Sequence, residues 1–264
     1  MLVHPMKLSC ALVACNDNPK YLDFWPIVRQ SWWEIVGIPA VMIYIGDTKP
    51  EAYKDDPSVI CFTPIEGWST VTQAQVIRLL YPALLQCEGA VVISDMDMIP
   101  LQREYFMDGF TKFHEDQFVS LRGIDEQEKQ IYMCYCGATP KVWSEMFQIK
   151  TLEDISIRMN EWRQQMTYQV ENRAEPGWCF DQQKLYEHVQ GWLIQSPDRI
   201  GLIPWTATIP RLDRGAPQDW YAGNPFLEHR LSEKEFVDFH MPPLIPFTNE
   251  ILTVFHIAKK CYTP

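Results

Sequence analysis

The sequence predicts an α/β fold whose first half alternates strands and helices and whose second half is less regular. Three observations predict it. Apolar runs of strand length recur at residues 8–15, 41–45, 59–65 and 90–94. Two long stretches between them carry apolar residues at helical spacing. The composition, 47% hydrophobic and 22% charged over 264 residues, supplies a sizeable core and is that of a folded chain.

Residues 8–15 read as the first strand, opening onto Asn16-Asp17-Asn18-Pro19. Leu12-Val13-Ala14-Cys15 has the form of a lipoprotein-processing box. The apolar run before it is short and interrupted by Ser9 and Cys10, and a strand explains it better. Residues 21–36 read as a helix, with Tyr21, Phe24, Trp25, Val28, Trp32 and Ile35 on one face and Gly37 ending it. Val41–Ile45 is the second strand, closing with Gly46-Asp47, and Val59–Ile65 is the third. Thr70–Gln86 is a second helix, with Val76, Leu79, Leu80 and Leu84 inward. The run from Ala90 is the fourth strand. This β-α-β-β-α-β order is a Rossmann-like half with parallel strands.

Beyond residue 100, Phe118–Leu121 and Ile131–Cys136 read as strands and Pro140–Gln148 as a short helix. Residues 151–170 read as a polar helix, and Gln182–His188 as another. After residue 200 the chain is Pro-rich and aromatic, with Trp205, Trp220 and Tyr221 expected in loops. No internal repeat or low-complexity segment is present. The expectation is one domain, residues 1–264, with a division near residue 100 separating two functional halves.

A net charge of −11 argues against nucleic acid as a partner and against adhesion to an anionic membrane by charge. No run approaches the 18 or so apolar residues of a membrane-spanning helix. Eight cysteines sit mostly in apolar, strand-like contexts, with neither zinc-finger nor C-x-x-C spacing. Reduced thiols in a cytoplasmic, reducing compartment are expected.

The most informative motif is Asp95-Met96-Asp97, where the fourth strand ends abruptly in two carboxylates before Pro100. Ligands in open α/β sheets bind at such carboxyl ends. Two carboxylates there need a cation, and a divalent ion bridging to a diphosphate would serve. A solvated turn is the bland alternative.

The triplet resembles the Asp-x-Asp signature of GT-A glycosyltransferases, which hold a metal and a nucleotide sugar. The resemblance extends loosely along most of the chain. It rests further on Asn16-Asp17 after strand one, Arg78 in the helix before the Asp-x-Asp strand, Trp178-Cys179-Phe180-Asp181-Gln182, and the late His240 of Val237-Asp238-Phe239-His240. It implies a GT-A-like fold, with a mixed central sheet flanked by helices. Residues 1–100 would bind the nucleotide sugar. Residues 101–264 would bind the acceptor and supply a C-terminal loop closing the metal site. It further implies Mn²⁺ (or Mg²⁺) held by Asp95, Asp97 and His240, and a nucleotide-diphosphate sugar, UDP-sugar favoured, near Asn16, Asp17, Asp47, Gln75, Arg78, Asp95 and Met96. Asp181 and Arg78 would be catalytic, and Trp178, Asp181 and Gln182 would meet a carbohydrate or other hydroxyl acceptor.

Each residue also has a plainer reading. Asn16 and Asp17 suit an Asx-turn, and Asp47 suits a turn. Arg78 suits a helix surface, though it shares a face with Gln75. Asp181 suits a helix N-cap as well as a base for an acceptor hydroxyl. Trp178 suits the core as well as a sugar face. His256 competes with His240, but its apolar setting suggests a core histidine. Asp97 is favoured for direct coordination, with Asp95 on ribose or acting through water. A late His ligand leans toward retention and an Asp181 base toward inversion, so stereochemistry stays open.

Three other functions compete. A HAD-type phosphatase also uses D-x-D, but at the start of its domain. A sugar nucleotidyltransferase needs a Gly-rich basic loop that Cys15–Lys20 lacks. A non-catalytic carbohydrate-binding protein would suit the ten tryptophans.

Overall fold

The computed structural model describes residues 4–166, 177–203, 210–221 and 223–261. A seven-stranded mixed sheet organises it. In chain order its strands are β1 (Leu8–Cys15), β2 (Ala40–Ile45), β3 (Val59–Phe62) and β4 (Ala90–Ile93) from the first half. From the second come β6 (Phe118–Ser120), β9 (Cys136–Ala138) and β10 (Ile200–Leu202), while β5 (Met98–Pro100) belongs elsewhere. The spatial order is β10-β6-β9-β4-β1-β2-β3. The expected parallel half is present: β1 pairs in parallel with β2 and β4, and β2 with β3. The mixed character comes from β9, antiparallel to both β4 and β6.

Both faces of the sheet are covered, so its central strands are nearly continuous apolar runs rather than alternating ones. Along β1, Ala11 and Val13 enter one core cluster and Leu12 the other; along β4, Val92 and Val91 divide likewise. One face packs under α2 (Trp25–Ser31), α4 (Arg103–Thr111) and α10 (Leu244–Lys260), through Val28, Phe110 and Val254. The other packs under α3 (Thr70–Leu80), α5 (Pro140–Phe147), α6 (Leu152–Gln165) and α7 (Phe180–Gln195), through Val76, Trp143, Met159 and Leu185. Gly137 on β9 lies against Phe110: a Cβ there would fall 2.5 Å from the ring.

Several elements differ from the sequence reading. The helix expected over 21–36 is a short α1 (Pro19–Leu22), then α2, then a π turn over Trp32–Val36 closed by Gly37 at φ 85°. Pro26 stands in the first turn of α2, where a missing N–H costs nothing, so it starts a helix rather than continuing one. The strand expected over 131–136 splits: Ile131 ends a small hairpin, β7 (Ile124–Asp125) with β8 (Gln130–Ile131), and β9 starts only at Cys136. Between them Tyr135 takes φ 70° while its N–H donates to Ile93 O at 2.9 Å.

The region beyond 200 holds more structure than expected. Trp220 is not in a loop: it ends α8 (Pro217–Trp220) and is 2% exposed, while Tyr221 beyond it is exposed. Trp205 lies outside the described residues. After α9 (Leu227–Ser232), Asp238–His240 form β12, a strand where a loop was expected. It pairs in parallel with β11 (Leu212–Asp213) and antiparallel with β5, so the C-terminal segment is hydrogen-bonded to the residues just past the Asp-x-Asp. No two of the eight cysteines are joined by a disulfide. Among the described residues no helix is long and apolar enough to cross a membrane.

Candidate active site

The carboxyl ends of β1, β2 and β4 lie together and carry Asn16, Asp47 and Asp95. Asn16 is 7% exposed: its Nδ2 donates to Thr70 Oγ1 at 3.0 Å and its Oδ1 accepts from Asn18 N at 3.3 Å. The Asx-turn therefore belongs to Asn16. Asp17 and Asp47 are exposed at the same end of the sheet. Met96 is buried beneath the motif.

The two carboxylates of the motif lean on different partners. Asp95 meets Arg78, which projects from α3 and is 8% exposed rather than on a helix surface. The same guanidinium donates to Ser94 O at 3.2 Å and, through Nη2, to Asp181 Oδ2 at 3.0 Å. Asp181 is not the N-cap of α7, a place taken by Cys179; it is the second helical residue, 2% exposed. Burial raises its pKa to about 6, with Arg78 opposing the shift and Asp95 adding to it. Burial would lower Arg78, but the Asp95 and Asp181 charges hold it above its ordinary value. Asp95, Arg78 and Asp181 thus form one ion chain, half-buried at Asp95 and buried at Arg78 and Asp181, in which Asp181 grips the arginine.

Asp97 faces the C-terminal sheet. Its Oδ2 accepts from Arg214 Nη1 at 2.8 Å and lies 3.3 Å from His240 Nε2. His240 Nδ1 lies 3.0 Å from Asp213 Oδ2. Pairing of β12 with β5 sets His240 opposite Met98, and Met241 N donates to Asp97 O at 2.8 Å. Burial pushes Asp97 up, yet the His240 and Arg214 interactions outweigh it and hold its carboxyl below the usual range. One strand step from His240, Asp238 is fully buried between Arg122 and Arg211. This clamp fastens β12 to the rest of the molecule. His256, the rival histidine, is on α10 and exposed, not in the core.

The structure thus joins Asp97 to His240 and turns Asp95 toward Arg78. Among the described residues no three His, Cys, Asp or Glu side chains gather as a metal cluster. The donor chemistry at Asp97 and His240 nevertheless fits a divalent ion. It offers a carboxylate and an imidazole Nε2, with Nδ1 oriented by a second carboxylate, the usual outer support of a metal-bound histidine. Arg214 shows that the Asp97 oxygen already attracts a cation.

Trp178, Gln182 and Gln75 group at the start of α7. Gln75 Nε2 donates to Trp178 O at 3.2 Å, tying α3 to this segment. Trp178 itself is half-buried. The side-chain oxygens of Gln75 and Gln182 are both buried without a donor. Buried acceptors are normally satisfied, so these two stand out among the polar groups between α3 and α7.

Sequence reasoning missed Asp213, Arg214, Arg122, Arg211 and Asp238. The alternation Arg211-Leu212-Asp213 was the available signal, since it puts both charged residues on one face of a strand.

No protein-family model matches this chain. No curated protein matches either. Among solved structures, the glycosyltransferase GlyE of Streptococcus pneumoniae TIGR4 aligns over 96% of this chain with 11% identity and a TM-score of 0.51. The present chain spans 62% of that protein's length. A galactosyltransferase, LgtC, solved with donor and acceptor sugar analogues, aligns over 97% of both chains with 12% identity and a TM-score of 0.47. At such identity the likeness is one of fold: a mixed seven-stranded sheet flanked by helices, as in GT-A glycosyltransferases.

Proposed function

We propose that this chain is a metal-dependent glycosyltransferase. It would move a sugar from a nucleotide-diphosphate sugar, UDP-sugar favoured, to a hydroxyl of a glycan or other acceptor. The observation that carries the reading is the approach of His240 Nε2 to Asp97 Oδ2 at 3.3 Å, at the end of a central strand and with Asp213 orienting the imidazole. Asp97 and His240 would hold Mn²⁺ or Mg²⁺, with Asp95 on the ribose or acting through water. The ion would supply positive charge to the departing nucleoside diphosphate.

The chain's own residues do the rest. Asn16, Asp17 and Asp47 line the nucleotide end of the sheet. Arg78 fixes Asp95 and places a permanent charge beneath the donor. Asp181 is too buried to meet an acceptor directly in this arrangement and acts by holding Arg78. Trp178, half-buried and tied to α3 through Gln75, would present its ring to a sugar face.

Calorimetric titration of UDP, GDP and their sugars, with and without Mn²⁺, tests the reading. One nucleotide binding only with metal supports it. No nucleotide binding under either condition overturns it. The burial of Asp181 favours a second reading, a carbohydrate-binding protein without catalysis. That reading requires saccharide binding with no nucleotide and no turnover of any nucleotide sugar.

A further inference from the structure

A cleft of about 770 Å³ opens at the opposite end of the sheet from the Asp-x-Asp. Its lining includes Ala40, the first residue of β2, and Ser58, immediately before β3, whereas Asp47 and Asp95 follow the last residues of their strands. We propose that this cleft is a second binding site, taking an oligosaccharide that carries a carboxylate or phosphate. The inference does not rest on the transferase reading.

The cleft is walled by one face of the α2–π segment, on which Trp25, Arg29 and Trp33 recur every fourth residue, with Tyr53 opposite. Trp33 is 63% exposed, on the π turn. Such turns are rare and frequent at functional sites. An indole held at the rim of an open cleft suits the C–H face of a sugar ring, which is apolar while its edges are polar.

The polar part is built in advance around Asp56. Its carboxylate accepts from Trp25 Nε1 at 3.3 Å, from Arg29 Nη1 at 2.9 Å and from Ser58 N at 2.9 Å. Its carbonyl accepts from Lys49 Nζ at 2.7 Å. Arg29 and Asp56 are the charged residues of the lining. Asp56 is turned inward with its side chain 11% exposed, and Arg29 outward at 51%. The charge the cleft shows to solvent is therefore a guanidinium, fixed at one nitrogen and presenting the rest of its fork. On a chain of net charge −11 that local sign selects an anionic group. Gln30 beside it adds a carbonyl oxygen for hydroxyls, its amide nitrogen being engaged by Glu34 at 3.0 Å.

Saturation-transfer NMR on the full chain tests the proposal, with tetragalacturonate, sialyllactose and lactose 6-phosphate as anionic probes and maltotetraose as the neutral one. At least one anionic probe is expected to receive saturation, and maltotetraose none. Trp33→Ala should abolish the transfer, and Arg29→Gln should weaken binding about tenfold, the scale of one charge-assisted hydrogen bond. Both positions are exposed, so unchanged thermal unfolding should accompany the loss. Asp97→Ala should leave the transfer intact, which separates this site from the Asp-x-Asp. Transfer that survives Trp33→Ala, transfer lost in Asp97→Ala, or equal transfer to maltotetraose would overturn the proposal, as would transfer to no anionic probe. Binding of an unstructured peptide at Trp33 with no saccharide binding would likewise overturn it in favour of a protein partner.

Discussion

Asp95 and Asp97 are two residues apart, yet they belong to different regions of the molecule. Asp95 is bound to Arg78 of α3, and behind it to Asp181. Asp97 is bound to the small C-terminal sheet through Arg214 and His240. In the first region the cation is buried: Arg78 is 9% exposed, between Asp181 at 3% and Asp95 at 34%. In the second the carboxylate is buried and the cation is less so: Asp97 is 10% exposed and Arg214 26%. The difference lies in which partner can exchange. A buried arginine held by two carboxylates is fixed in place, whereas a partly exposed one can yield Asp97 to another cation.

Asp97→Ala should have the largest effect on function, abolishing metal-dependent nucleotide binding while the buried chain persists. Nucleotide titration with Mn²⁺ reads it, and unchanged binding would remove Asp97 from the site.

Arg78→Ala should have the largest effect on stability. It strands Asp95 and Asp181 together, and breaking a buried pair by removing one partner costs about 3–5 kcal/mol. Arg214→Ala should cost less, because Arg214 is partly exposed and Asp97 keeps His240 as a partner. Urea unfolding of the two variants compares the regions directly; equal losses would erase the distinction between them.

The first region was largely readable in the sequence and the second was not, for physical reasons. β1, β2 and β4 are apolar runs and α3 has apolar residues at helical spacing, so local pattern identifies them. Arg78 could be placed because it shares a helix face with Gln75. His240 could be suspected, but its strand has three residues and gains stability by pairing with β11 and with β5, the latter far upstream. The Arg211-Leu212-Asp213 alternation marks a strand face, but nothing local ties Asp213 and Arg214 to Asp97, more than 100 residues upstream. α10 was hidden in the same way. Its inward residues Ile251, Val254, Phe255 and Ala258 follow helical spacing, but Pro243 and Pro246 at its start suggested a loop. For Asp181 the sequence leaves a cap and a base equally open, because it cannot show that Arg78 draws the carboxylate inward.

Asp213→Asn should weaken metal affinity about 10–100-fold without abolishing it, the scale of losing a carboxylate that orients a ligand histidine. Mn²⁺ titration followed by electron paramagnetic resonance measures this. An unchanged affinity would mean that Asp213 supports β11 and not His240.

The buried ion chain should also show itself in pH dependence. Asp181 has its folded pKa raised to about 6, chiefly by burial. The unfolded value is about 4. Its contribution to stability is therefore complete below pH ~4 and is lost as pH rises through about 6. Asp97, held low chiefly against burial by His240, runs the other way: its contribution is present above the unfolded value and is lost as pH falls. Asp181→Asn should flatten the unfolding profile between about pH 4 and 6, and a profile unchanged there would contradict an ionisable buried Asp181.

The most direct test of the account is anomalous diffraction at the manganese edge from crystals grown with Mn²⁺ and UDP. The account predicts one Mn²⁺ peak bonded to an Asp97 oxygen and His240 Nε2, with Arg214 displaced from Asp97 and the Asp95–Arg78–Asp181 chain intact. Bound nucleotide with no peak at Asp97, or a peak held by other residues, would contradict it.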